Sequence, residues 1–312
     1  MSTAPLPVVQ SIPHGGLAVP EEVDGRLAIS DVTIYNECDL WVDQLFDFDH
    51  ADLATLRPQG QAPATLGKAH LPIARVLIDG NRPPDSLDNP DGVVKTQTSY
   101  GDPIYRDPID RAMQVQLRNR YWQPFHDEVD TLLRANAGRT LLFLDCHNMA
   151  QRGPTAYLDP GKVRPAICIA NFGDANGEAT GDRPLSAPAW FAREAERIAQ
   201  SLFADLPLLE PNPEPTPVAA LNLPYGGGYI LHKYVDDAYQ RALGVDQRYV
   251  GLMVEMNRGL FVGNQRTDTP ISPPNQARIA AVRLRLYKWL TAVVALLEER
   301  AAQGDIWAGD AA

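Results

Sequence analysis

Positive charge is what this chain has least of. Its 312 residues include 28 lysines and arginines against 39 acidic residues, a formal net charge of -11. Binding along a nucleic-acid backbone is driven by counterion release and needs a surplus of cations, so that class of partner is excluded. Small molecules are expected instead, and a few arginines lining a pocket would still admit an anionic one. Cysteine is scarce as well. Cys38, Cys146 and Cys168 are odd in number, far apart and set in apolar or mixed segments, which is not a disulfide framework, so all three read as free thiols. No apolar stretch reaches the roughly 20 residues needed to cross a bilayer, so no membrane partner is expected. Residues 1–10 lack a basic stretch followed by an apolar run, and a cytoplasmic location is the expectation. Internal repeats and low-complexity tracts are also missing, which leaves out repeat architectures.

What is present is an ordinary globular composition, 45% hydrophobic, with room for a sizeable core. Apolar runs at 7–12, 73–78, 140–144 and 249–254 each lead to a polar residue of chemical interest: His14, Asn81, Asp145 and Glu255. They read as buried strands. Helical patterns lie between and after them at 39–48, 109–135, 187–203 and 276–301, the second amphipathic with Trp122 and Phe125. Strand and helix alternate, so the class is α/β. Loops at 82–92, 173–188 and 206–224 hold much of the 27 prolines and 23 glycines. No linker divides the chain, which is read as a single domain over 1–312 with a frayed tail at 302–312.

Three segments carry candidate metal ligands where an α/β sheet places its site, beyond the carboxyl ends of strands. His14 stands in Pro13-His14-Gly15-Gly16, where the glycines allow a sharp turn and a close substrate approach. Asp145-Cys146-His147-Asn148 closes a strand, and strand geometry would put Asp145 and His147 on one face, with Asp145 orienting the imidazole. Glu37-Cys38-Asp39, at the expected start of a helix, offers a carboxylate to complete a two-histidine, one-carboxylate set that leaves a fourth position for water, the arrangement of catalytic zinc. Asp39 as a helix N-cap is the plainer alternative. Glu255 directly follows an apolar run. Burial would raise its pKa and suit it to general-base work, and a salt bridge to Arg258 is the competing reading. Arg75, at the front of Val76-Leu77-Ile78-Asp79-Gly80-Asn81-Arg82, and Arg82 itself flank an expected strand and, with Asn81, could clamp a carboxylate. The run Tyr225-Gly226-Gly227-Gly228-Tyr229 leads into a short helix as a pocket lip or a turn. It lacks the spacing and lysine of a phosphate-binding loop, so nucleotides are not expected.

In order along the chain, Ser11-Ile12-Pro13-His14-Gly15-Gly16, Glu37-Cys38-Asp39-Leu40-Trp41, residues 75–83, Tyr121-Trp122-Gln123-Pro124-Phe125-His126, Asp145-Cys146-His147, Gly227-Gly228-Tyr229 and Val254-Glu255-Met256-Asn257-Arg258 resemble the N-formylglutamate amidohydrolase family. The resemblance spans roughly residues 10 to 265. It implies the fold of zinc carboxypeptidases, a three-layer α/β/α sandwich with a central mixed sheet. It also implies one Zn2+ on His14, Asp39 and His147, Glu255 as the catalytic carboxylate, and Arg75, Asn81 and Arg82 against the substrate. The family pattern resembles Asp-x-Asp where this chain has Glu37 and Asp39. Asp39 is taken as the ligand, since a methylene's shift of the oxygens is poorly tolerated at a metal. His126 is left outside the metal set, as a pocket residue or one packed on Trp122.

The activity implied is hydrolysis of the amide bond of an N-formyl or N-acyl amino acid, such as N-formylglutamate, by water that zinc activates and Glu255 deprotonates. Glu37, and Asn148 where the family more usually has Ser, leave the acyl group and the amine open. A zinc carboxypeptidase-like hydrolase of peptides or cell-wall amides is one alternative, and a non-catalytic small-molecule-binding protein on the same fold is another. Oligomeric state and native metal are not legible from these residues.

Overall fold

The computed structural model describes residues 4–58, 63–155, 157–245 and 248–307. Six strands, β1 (Leu6–Ile12), β2 (Thr65–His70), β3 (Leu142–Met149), β4 (Ile167–Ala170), β5 (Ala219–Leu221) and β6 (Val250–Asn257), form one sheet in the order β2-β1-β3-β6-β4-β5. All neighbours are parallel except β4 and β6, which run antiparallel. Both central strands, β3 and β6, are buried along all eight residues, as strands covered on both faces must be.

The helices are α1 (Asp31–Glu37), α2 (Val42–Leu45), α3 (Arg111–Leu117), α4 (Gln123–Ala135), α5 (Ala189–Phe203), α6 (Tyr229–Val235), α7 (Asp237–Ala242) and α8 (Gln276–Gln303). Period-two alternation along the strands sorts the core into two layers. On one face Val8, Leu144, Leu252 and Val254 meet α2, α5 and α8, and the buried Trp289 of α8 donates from Nε1 to the Ala195 carbonyl of α5 at 2.9 Å. On the other face Val9, Phe143 and Met253 meet α4 and α6. Helices on both sides of a mixed, mostly parallel sheet make the α/β architecture. No helix among the described residues is long and apolar enough to cross a membrane.

Several local expectations are corrected. Residues 73–78 form a turn rather than a strand: the Leu77 and Ile78 amides both donate to the Ala74 carbonyl at 2.9 and 3.1 Å. Val76, Leu77 and Ile78 are fully buried, and a short run buried on every side carries no periodicity to tell turn from strand. The helix expected over 39–48 is reduced to the short α2, preceded by Trp41 at φ 58°, while α1 lies before that span and ends at Glu37. Glu37-Cys38-Asp39 thus stands at a helix end, not a helix start. The long helix over 109–135 is interrupted by a π-helical turn, Arg118–Trp122, before α4. Pro124, in the first turn of α4, has no amide to donate, which favours a wider turn there. Loop 206–224 contains β5, and β2 and β4 had no counterpart in the sequence reading. Of the tail, Ile306 is fully buried against α5 and α8 rather than frayed, and residues 308–312 lie outside the described residues.

Strands β3 and β6 run further than their apolar stretches. Asp145, His147 and Glu255 therefore lie within the sheet, and register sets Ser11 beside Asp145 and His147 beside Glu255. The face that is apolar at Val9, Phe143 and Met253 becomes polar at its carboxyl end. Gly16, just beyond β1, fixes the loop that follows His14: a Cβ there would lie 2.0 Å from the Pro72 carbonyl carbon. Backbone cannot yield as a side chain can, so Gly16→Ala is expected to cost about 1–3 kcal/mol in urea unfolding. An unchanged midpoint would contradict that close approach.

Candidate metal centre and its cavity

Three segments converge at the carboxyl end of the sheet. β1 runs out into His14, α1 stops at an extended Cys38 and delivers Asp39, and β3 carries His147. The Asp39 amide donates to the His14 carbonyl at 3.1 Å, and the Asn148 amide donates to Asp39 Oδ2 at 3.1 Å. Asp39 therefore spans two of the three segments. It is not an N-cap.

Nδ1 of His14 and Nδ1 of His147 are 3.1 Å apart. Asp39 Oδ2 lies 3.2 Å from the second and 3.5 Å from the first. Metal–ligand bonds of about 2.0–2.1 Å in tetrahedral geometry put ligand atoms about 3.3 Å apart, so this triangle has the edges that a zinc-sized ion requires. All three residues are buried.

The outer nitrogens face carboxylates. His14 Nε2 meets Asp79 Oδ1 at 2.7 Å, and His147 Nε2 meets Asp145 Oδ2 at 3.0 Å. Asn81 Nδ2 also approaches His147 Nε2, at 3.4 Å. Carboxylates at both outer positions favour the proton on Nε2 and leave each Nδ1 lone pair inward, the tautomer of a metal-bound histidine. Two lone pairs and a carboxylate oxygen then converge in a buried space, an arrangement that fits a cation.

The supporting charges are locked. Asp145 Oδ1 accepts from Ser11 Oγ at 3.0 Å. Asp79 accepts from the Asn81 amide at 2.9 Å and from Arg75 Nη2 at 3.3 Å. Burial works against its ionisation, but Arg82, His14 and Arg75 outweigh that and hold its carboxyl well below the usual range. Asp39 is likewise held low, with burial opposed by His14, His147 and Arg75. Asp79 lies within the 75–83 segment, but one acid at the end of an apolar run carries no local signature that would mark it from sequence.

Glu255 is 8% exposed, and among the described residues it makes no hydrogen bond or ion pair. The alternative of a salt bridge to Arg258 is thereby removed. Burial pushes the Glu255 carboxyl up to about 7, with His147 pulling it down and Asp39 pushing it up.

Glu37 is not part of the cluster. Its oxygens accept from the Ser99 amide at 3.1 and 3.2 Å and from Ser99 Oγ at 2.7 Å. His126 also stands apart: its ring lies 3.8 Å from that of Trp122, its nitrogens face Tyr234 Oη and the Gly80 carbonyl, and burial, then Lys233, lowers its pKa to about 3. Asn148 donates to the Leu40 carbonyl at 2.7 Å.

A cavity of about 740 Å³ opens over this cluster, lined by His14, His147 and Glu255 and by Arg75, Asn81 and Arg82. Arg75 reaches Asp39 and Asp79 only at 3.4 and 3.3 Å. Arg82 is committed to Asp91 at 2.7 Å. Asn81 Oδ1 accepts from the Ile230 amide at 2.8 Å, which docks α6. Gly227, Gly228 and Tyr225 form part of the wall, as do Tyr157, Arg164 and Arg258, which the sequence reading did not select for substrate.

The fold and site together define an α/β protein with a buried His-Asp-His cluster of metal-binding shape at the carboxyl ends of its central strands. The family model for N-formylglutamate amidohydrolase matches residues 6–262, and the chain belongs to that family of amidohydrolases. Its fold is similar to the crystal structure of N-formylglutamate amidohydrolase from Ralstonia eutropha JMP134, with a TM-score of 0.64 and 16% identity over 95% of this chain and 96% of that one. No curated protein matches the chain.

If Asp79 orients His14 for a metal, Asp79→Asn should weaken Zn2+ binding by about 10- to 100-fold in competition against a chromophoric chelator. Equal affinity in the variant would remove Asp79 from the metal-supporting set.

Proposed function

We propose that the protein hydrolyses the amide bond of an N-formyl or N-acyl amino acid such as N-formylglutamate, with one Zn2+ on His14, Asp39 and His147. The observation that carries this reading is Glu255. It is a buried carboxylate on the cavity wall, unpartnered among the described residues and beside His147 in the strand register. A structural acid in that place would be paired. Family membership supports the choice of reaction.

A bound Zn2+ would supply Lewis acidity and bring the pKa of a coordinated water toward 7. Glu255 accepts the proton that water loses as its oxygen attacks the acyl carbon. The C–N bond then breaks and the same carboxyl returns the proton to the leaving nitrogen. Arg75, whose bonds to Asp39 and Asp79 are long, would meet negative charge growing on the carbonyl oxygen. Asn81 and Arg82 line the approach and, being pinned by Ile230 and Asp91, present a fixed wall to the substrate. With N-formylglutamate the products are formate and glutamate.

Glu255 must be ionised to accept a proton, and a cation at the cluster would push its pKa below the value that burial alone sets. Activity should therefore rise with pH through a limb at or below about 7, read as kcat/KM over pH 5 to 9. Glu255→Gln should lose that limb and about 100-fold or more in rate while its zinc content, measured by elemental analysis, stays at one ion. Full activity in this variant, or no hydrolysis across a panel of N-formyl and N-acyl amino acids by metal-loaded protein, would refute the proposal.

A further inference from the structure

Among the described residues, Arg258 is a buried guanidinium without a counter-charge within 4.0 Å. It follows β6 in the short turn Arg258–Leu260, is 8% exposed and lines the cavity. Nη1 donates to the Asn36 and Cys38 carbonyls at 3.1 and 3.0 Å and to Gln265 Oε1 at 2.9 Å. All three acceptors are neutral. Nε is buried without an acceptor, Nη2 engages none, and among the described residues no Asp or Glu oxygen lies within 4.0 Å of the group. Glu37, which sits between Asn36 and Cys38, gives its carboxylate to Ser99 instead.

The other cations of the cavity differ. Arg75 is shared by Asp39 and Asp79, Arg82 is paired with Asp91, and Arg164 makes two bonds to Asp159 at 2.7 and 2.9 Å. Lys162 is exposed, so water solvates it. Desolvating a charge without compensation is costly, and here Nε and Nη2, a pair of nitrogens through which a guanidinium can grip a carboxylate with two parallel bonds, are the ones without an acceptor among the described residues, Nε being buried.

We propose that Arg258 determines specificity for acidic substrates by binding the side-chain carboxylate of the N-acyl amino acid. The inference rests on the amidohydrolase reading and adds to it the residue that recognises the amine product. An α-carboxylate lies two bonds from the amide nitrogen and stays beside the metal cluster, where Arg75 contacts Asp39. The side-chain carboxylate of a glutamate lies about four bonds from that nitrogen and would be met by Arg258, which lines the same cavity and is anchored through Cys38 on the segment leading into Asp39. Ser99 and Tyr100 line the same cavity as neutral groups.

The test compares N-formyl-L-glutamate with N-formyl-L-glutamine, which differ only in that terminal group, in the metal-loaded wild type, Arg258→Gln and Arg258→Lys. Wild type should favour the acid, and Arg258→Gln should lower the ratio of the two kcat/KM values by about 100-fold. Arg258→Lys, with the charge but not the fork, should fall between. Equal losses on both substrates would make Arg258 a purely structural residue and overturn the inference, while leaving the amidohydrolase reading intact. Calorimetric binding of L-glutamate against L-glutamine separates the two ideas if neither substrate turns over. A preference for glutamate that Arg258→Gln abolishes would support the subsite on its own, and no preference in wild type would overturn it. Should Arg258→Gln fail to fold, Arg258→Lys decides: a reduced preference supports the assignment and an unchanged one overturns it.

Discussion

The convergence of three lone-pair-bearing atoms in a buried space is the constraint around which the site is built. Two imidazole nitrogens and a carboxylate oxygen 3.1 to 3.5 Å apart repel one another unless a positive charge lies among them. The protein does not relax this by turning the rings, because each outer nitrogen faces a carboxylate that is itself held, Asp79 by Arg75 and Asn81 and Asp145 by Ser11. These outer contacts act through ring orientation and basicity rather than by touching an ion. Their cost is more buried acid, which explains why Arg75 and Arg82 crowd the same corner. Arg75 is the hinge of this balance, since it lies against one acid of the inner triangle and one of the outer support.

Placing the cluster on strands also determines its rigidity. His147 and Glu255 belong to β3 and β6, the two central strands, each buried throughout, so a shift at either residue would have to carry the sheet with it. Asp39 has no such scaffold, and is fixed instead by hydrogen bonds to the strands on either side: its amide to the His14 carbonyl and its carboxylate to the Asn148 amide. The substrate walls are made differently. They come from turns and loops docked onto the sheet, as where Asn81 accepts from the Ile230 amide and packs against Gly228. With His147 and Glu255 borne on strands and the cavity walls on loops, the walls can vary without disturbing the geometry of the His-Asp-His cluster.

Much of this was legible in the sequence, and the limits have physical causes. Strands β1, β3 and β6 were visible because they are buried on both faces and therefore continuously apolar, and His14, His147 and Glu255 could be found by following those runs to their ends. Spacing alone could not choose between Glu37 and Asp39. Both are acids near the end of α1, and what separates them is tertiary: Ser99, more than 60 positions away, accepts the role of partner to Glu37, while the His14 carbonyl takes the Asp39 amide. The turn at 73–78 looked like a strand because burial on all sides erases periodicity. Strand β2 was missed for the opposite reason: as an edge strand with Lys68 exposed it is too polar to stand out. A salt bridge from Arg258 to Glu255 was the competing reading that sequence proximity offered, but Asn257 begins a turn that carries the guanidinium to the carbonyls of Asn36 and Cys38. No sequence pattern reports a contact that spans 220 positions.

Strand pairing also explains why Glu255 can be left unpaired. Its lateral neighbours are His147 on β3 and Cys168 on β4, and paired residues share a face of the sheet. Burial pushes the Cys168 thiol up to about 12, and its Sγ is turned to the Tyr225 carbonyl at 3.4 Å. It therefore contributes neither a counter-charge nor a competing proton acceptor at neutral pH. On the other side, His147 is tied to the cluster and to Asp145. The carboxylate consequently lies between a neutral thiol and an imidazole already engaged. A lysine or arginine at position 168 would pair with Glu255, lower its pKa toward the ordinary range and weaken it as a base. A small, neutral, buried side chain at that one point in the register leaves the carboxylate without a charged neighbour on that side, as the proposed proton transfer requires.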